Sequence, residues 1–208
     1  MKNGVAGIDQ TVDAMARVSM GQYGAGSMRI RSLAIQIIRA AGVDEKNQLG
    51  EVRAIHQWVM DRLRYVKDPA WYEMVTFPET LAFEQPDGDC DDHAVLEAAL
   101  LGAIGIPSRF VVFGFKGGGF SHVALQAMLP KGPLPLDPIV KNKPAGWEVP
   151  DWTSRKIYTV STPTGVAPGM WDLAIKIAAV GGAVALGVGM LARLIQRLPI
   201  GWGSHDHE

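Results

Sequence analysis

Apolar residues recur every three to four positions over 28–41. Ile30, Leu33, Ala34, Ile37 and Ile38 share one face, and Gly42 follows as a stop. A second amphipathic helix is predicted over 49–64, with Val52, Ile55, Val59, Met60 and Leu63 inward and Asp68-Pro69 ending the region. Residues 69–89 carry Trp71, Tyr72, Phe77 and Pro78 without a period and read as irregular. A third helix begins at or near Cys90. Asp89 can cap it, Asp91 and Asp92 suit the positive end of its dipole, and Ala94, Val95, Ala98, Ala99 and Leu101 form an apolar body. The pattern then changes to strands over Arg109 to Phe115 and Ser121 to Met128, joined by the glycine-rich Lys116 to Gly119. Shorter strands are predicted to end at Asp137 and to run from Lys156 to Ser161. Helices followed by antiparallel strands make an α+β fold, with helices packed on an antiparallel sheet.

The ends of the chain look different. Residues 1–27 mix Gly4, Gly7, Gly21, Gly24 and Gly26 with polar residues and read as a flexible arm, with one short helix around Val12 to Val18. Asp9, Gln10 and Asp13 interrupt any apolar run after Lys2, so no cleaved signal peptide is read. A Pro/Gly hinge at 162–170 separates the central domain, 28–161, from a hydrophobic, Gly-rich helix predicted over 171–198 and a polar tail, 199–208. The 16 residues between Lys176 and Arg193 are uncharged and include Gly181, Gly182, Gly187 and Gly189. Glycine weakens a helix in water, by about 1 kcal/mol each against Ala, but suits close helix approach in lipid. We expect this segment to contact a membrane or to pack in a homo-oligomer.

Composition narrows the function. Lys and Arg number 20 against 21 acidic residues, so no basic excess draws the chain to nucleic acid. A lone cysteine rules out an intramolecular disulfide and a multi-cysteine zinc site. Cys90, His93 and the neighbouring aspartates mix soft and hard ligands without a second cysteine, and we expect neither a metal nor a cofactor there.

The densest chemistry is Gly88-Asp89-Cys90-Asp91-Asp92-His93-Ala94. A thiol in the first turn of a helix meets free backbone N–H groups and the positive dipole end, which favour thiolate. The three aspartates oppose it, so a cationic partner is required. His122, on a strand after the glycine turn, can serve as ion-pair partner or general base, and Asp137, 15 residues on, can fix its tautomer. His93 shares the helix with Cys90 and is poorly placed to approach the sulfur across a cleft.

These residues, with Gly105-Ile-Pro-Ser-Arg109, Ser121-His-Val-Ala124, Leu136-Asp-Pro138 and the upstream Arg64-Tyr-Val-Lys-Asp-Pro69, resemble the transglutaminase-like branch of the papain-like cysteine enzymes, in particular its short bacterial and phage members. The resemblance covers 50–140 and places Arg64-Tyr65-Val66 on the helix that precedes the nucleophile. It implies Cys90 as nucleophile, His122 as base and acid, and Asp137 as orienting carboxylate. Val123 stands where the family often has an aromatic after the histidine. For the oxyanion, Gln85 and Trp71 are candidates beside the Cys90 backbone N–H. The resemblance implies a cysteine-nucleophile acyl-transfer enzyme hydrolysing an amide of a peptide or protein. The alternative is a structural or delivery component of a phage particle or envelope assembly, virion- or membrane-associated, that uses the same domain as a scaffold.

Overall fold

The computed structural model describes residues 5–44, 46–68 and 74–160. Eleven elements follow in order: helices α1 (Val5–Met20), α2 (Met28–Ala40) and α3 (Gln48–Arg62), strand β1 (Arg64–Tyr65), helix α4 (Pro78–Phe83), strand β2 (Asp87–Gly88), helix α5 (Cys90–Ala103), and strands β3 (Ser108–Phe115), β4 (Gly119–Leu129), β5 (Gly132–Leu136) and β6 (Trp152–Val160). The last four strands form one antiparallel sheet in the order β5-β4-β3-β6. β1 and β2 make a small parallel pair. This is the α+β architecture that the pattern predicts.

α5 is the centre of the molecule. It packs against α1, α2, α3 and α4 on one side and against β3 and β4 on the other. Every residue from Asp91 to Ala103 except Gly102 is buried. A helix apolar on all sides has this one stable place, enclosed by other elements, whereas α2 shows a single buried stripe of Ile30, Ala34 and Ile37. Local signals fix the helix ends. Ser27 caps α2 by accepting from the Arg29 and Ile30 N–H groups, and Asn47 caps α3 by accepting from Gly50. Gly105, at φ 82, turns the chain out of α5, and the Ile106 N–H closes back onto the Leu101 carbonyl at 3.0 Å. The next strand then starts on the sheet beneath.

Four local readings change. Residues 5–20, expected within a flexible arm, form a 16-residue helix whose Ile8, Val12, Met15 and Val18 enter the main core. Their spacing is helical; the glycines that disguised it lie in its first turn and beyond its end. The stretch 69–89, expected to be irregular, contains α4, started by Pro78 at a first-turn position where its missing N–H is harmless, and β2. Arg64 and Tyr65 lie on β1, not on the preceding helix, which ends at Arg62. The predicted strand from Lys156 begins earlier, at Trp152, and pairs with β3 along its length. The hinge at 162–170, the hydrophobic segment 171–198 with its glycines, the polar tail and Trp71 lie outside the described residues. Among the described residues no helix is long and apolar enough to cross a membrane.

Because α5 is enclosed on all sides, cavities along it have no route to collapse. Leu100→Ala is expected to cost about 2–5 kcal/mol of unfolding free energy, read from urea denaturation; a loss below about 1 kcal/mol would show that α5 is less tightly packed than described here.

Candidate active site

Cys90 is the first residue of α5, and it is half-buried against the main core cluster. The chain reaches it through β2, held beside β1 with Tyr65 in register with Gly88; the Arg64 N–H donates to the Pro86 carbonyl at 3.0 Å and the Val66 N–H to the Gly88 carbonyl at 2.9 Å. Gly88 is required by space. A Cβ there would lie 2.5 Å from the Asp92 Cβ, inside any tolerable contact.

Each of the three aspartates has a local task. Asp89 caps α5 by accepting from the Asp91 N–H at 3.2 Å. Asp91 accepts from the Asp92 N–H at 2.8 Å, and Asp92 accepts from the Thr76 N–H at 2.7 Å, which ties the segment before α4 to the mouth of α5. One carboxylate oxygen from each can come within 4.8 Å of the others, a spacing that a cation could bridge. The chemistry of the set is still that of caps and ties.

Burial pushes the Asp92 carboxyl up to about 7, against the pull of the Thr76 hydrogen bond and with help from the Asp89 charge. Tyr65 lies half-exposed beside the same turn, its ring edge-on to His93 at 6.4 Å. Its phenol is raised by burial and then by the charges of Cys90, Asp89 and Asp91. His93 is fully buried and is held down to about 4, chiefly by desolvation. It is therefore neutral at ordinary pH and enclosed in the core.

His122 sits on β4 directly opposite Phe113 of β3, next to the bulge between Phe113 and Gly114. The two rings stack, with centroids 6.0 Å apart. Its Nε2–H donates to Asp137 Oδ2 at 2.8 Å, and both side chains are almost wholly enclosed. Asp137 follows the last residue of β5, so pairing of β4 with β5 brings together two residues 15 apart in sequence. Phe113 and Ala124 form a small cluster on one face of the sheet, while Val123 and Leu125 belong to the main core with α5. Alternation along β4 therefore sets His122 on the face away from the body of α5. Of the two oxyanion candidates, Gln85 is exposed just after α4; its backbone N–H donates to Thr80 and its carbonyl accepts from Asp87. Trp71 is outside the described residues.

Two features were missed in the sequence. His56 of α3 donates from Nδ1 to Glu97 Oε1 of α5 at 2.9 Å, deep in the core. A glutamate within the apolar body of α5 was the available signal. Lys141 reaches from the loop after Asp137 to the carbonyls of Met60 and Leu63, the latter at 3.0 Å.

The two perturbed groups on α5 act on stability with opposite signs. Asp92 keeps its proton in the folded chain where the unfolded chain, at 3.8, has lost it. Its stabilising contribution is complete below about pH 4 and disappears as pH rises through 7. His93, depressed on folding, contributes stability above about pH 6.5 that is lost as pH falls through 4. Asp92→Asn keeps an acceptor for Thr76 and removes only the first effect. The wild-type stability measured against that variant is expected to fall between pH 4 and 7 by up to about 4 kcal/mol, with His93 cancelling in the difference; a flat difference in urea denaturation across that range would contradict the raised carboxyl.

No curated protein matches the chain. Among solved structures, it is similar to a candidate protease from Parabacteroides distasonis, with 15% identity, a TM-score of 0.52, and coverage of 77% of this chain and 30% of that one. It is also similar to a candidate cysteine protease from Cytophaga hutchinsonii, with 20% identity, a TM-score of 0.44, and coverage of 75% and 58%. A third match is the periplasmic domain of TgpA from Pseudomonas aeruginosa bound to ethylmercury, with 20% identity, a TM-score of 0.42, and coverage of 59% and 46%. The chain thus spans less than two thirds of each of these proteins. The first supports the shared fold and no more. The decisive match is to the family model of the transglutaminase-like superfamily, which covers residues 31–138 and so runs from α2 past Asp137; with just over half of its length matched, the chain belongs to that superfamily.

Proposed function

We propose that the protein is a cysteine-dependent acyl-transfer enzyme that hydrolyses an amide bond of a peptide or protein. The Cys90 thiolate attacks the amide carbonyl. His122, as imidazolium, gives its proton to the departing amine when the C–N bond breaks, which leaves a thioester on Cys90. Water then attacks the thioester, His122 takes its proton, and the carboxylic acid and free thiol are released. Asp137 holds the imidazole by Nε2, so Nδ1 is the nitrogen that exchanges protons with Cys90 and substrate. The backbone N–H of Cys90, at the start of α5, is the donor for the oxyanion.

The observation that carries this reading is the enclosed His122–Asp137 hydrogen bond in a chain whose one cysteine starts the central helix. An imidazole with its outer nitrogen fixed by a carboxylate is a general base with a defined tautomer. The family supports the same assignment. The segment 171–198 is proposed, on sequence alone, to hold the enzyme in an assembly or at a membrane. The alternative is a scaffold that uses the same domain without catalysis.

Alkylation by iodoacetamide decides, because Cys90 is the only thiol in the chain. The wild type is expected to react with an apparent pKa well below the ordinary value of about 8.5, and His122→Ala to return it there. With a peptide pool as substrate and products read by mass spectrometry, Cys90→Ala is expected to abolish cleavage and Asp137→Asn to reduce it by about 1000-fold or more. An ordinary thiol pKa that His122→Ala leaves unmoved would establish the scaffold instead.

A further inference from the structure

The contact between α3 and α5 holds an unexpected pair. Around it lie Val52, Ile55 and Val59 of α3 and Ala94, Ala98 and Leu101 of α5, all fully buried and apolar. Between them His56, 2% exposed, donates to Glu97, 0% exposed. Burial favours neutral imidazole at His56, but the charge and hydrogen bond of Glu97, with a hydrogen bond to the Lys143 backbone and the Asp137 charge, together outweigh it and leave the histidine raised. Buried pairs of this kind add little stability over well-packed apolar residues of the same volume, and in some proteins they fix one arrangement against neighbouring ones. Glu97 is two helical turns from Cys90, about 10.5 Å along the axis. A bond from α3 to Glu97 therefore fixes the axial position of the nucleophile.

The same helix holds the other half of the site. Lys141 lies four residues after Asp137, on a loop closed by the Val140 N–H to the Asp137 carbonyl at 3.4 Å and the Lys143 N–H to the Val140 carbonyl at 3.3 Å. Its ammonium donates to the Met60 and Leu63 carbonyls at the C-terminal end of α3. A cation there also meets the negative end of the helix dipole. One rigid helix thus grips α5 through its middle and the Asp137 loop through its end.

We propose that α3 is the bracket that sets Cys90 in register with the His122–Asp137 pair, and that His56, Glu97 and Lys141 are the positioning residues of the site. This rests on the catalytic reading above. None of the three touches the reacting atoms. They act by holding the element that carries Cys90 and the loop that carries Asp137 at a fixed separation.

The test uses the full chain and iodoacetamide, with no knowledge of the substrate. His56→Leu/Glu97→Leu removes both buried polar groups while filling their space, so its melting temperature is expected to equal or exceed that of the wild type. Its Cys90 is nevertheless expected to titrate one unit or more higher and to alkylate about tenfold more slowly at neutral pH. Lys141→Met is expected to give the same shift with little change in melting temperature, and Lys141→Arg to restore the wild-type profile. A packing role alone would move melting temperature and leave the thiol profile intact. If the double variant does not fold, Lys141→Met decides. Wild-type thiol profiles in the variants, with the His122 dependence of the wild type intact, overturn the bracket. Loss of that dependence in the wild type itself overturns the catalytic reading and this one with it.

Discussion

Complete enclosure of α5 is the constraint on which the structure depends. A helix with four other helices and two strands around it cannot slide or tilt without opening the core on some side. Its one half-exposed end residue is Cys90. The same apolar burial that stabilises the fold therefore also fixes where the sulfur emerges. The sheet brings the other pair together, since pairing of β4 with β5 sets His122 beside Asp137.

The electrostatics at that end are a contest. The positive end of the helix dipole favours a thiolate, and three aspartates disfavour it. The structure reduces the opposition. Asp89 spends its side chain on the cap, and Asp92 is buried far enough to be about half-protonated near neutral pH. A neutral Asp92 exerts no repulsion on the sulfur. Burial thus performs two tasks at one place: it ties the segment before α4 through Thr76 and removes part of the negative field at the nucleophile.

Much of this was legible in the sequence. α2, α3, α5, β3 and β4 follow from hydrophobic period and glycine punctuation. The residues of the candidate triad follow from a motif in which local capping and chemistry coincide. What was hidden is hidden for physical reasons. α1 was masked by glycines that flank a helical pattern, and α4 is a single turn and a half whose only signal is Pro78. β5 contains Pro133 and Pro135, which suit an edge strand and blur its period. His56, Glu97 and Lys141 were illegible as a set because their partners are 41, 78 and 81 residues away, and no local pattern encodes such a distance.

The proposed choice of base between two histidines rests on the same enclosure. His93 is nearer to Cys90 in sequence and lies on the same helix, yet desolvation holds it neutral down to about pH 4 and Tyr65 covers its ring. A group that cannot take a proton at working pH cannot serve as base or as counter-ion to a thiolate. His122 is enclosed as well, but a carboxylate bonds its ring at 2.8 Å. Proximity in sequence favours His93. The cost of burying an unpaired imidazolium weighs against it.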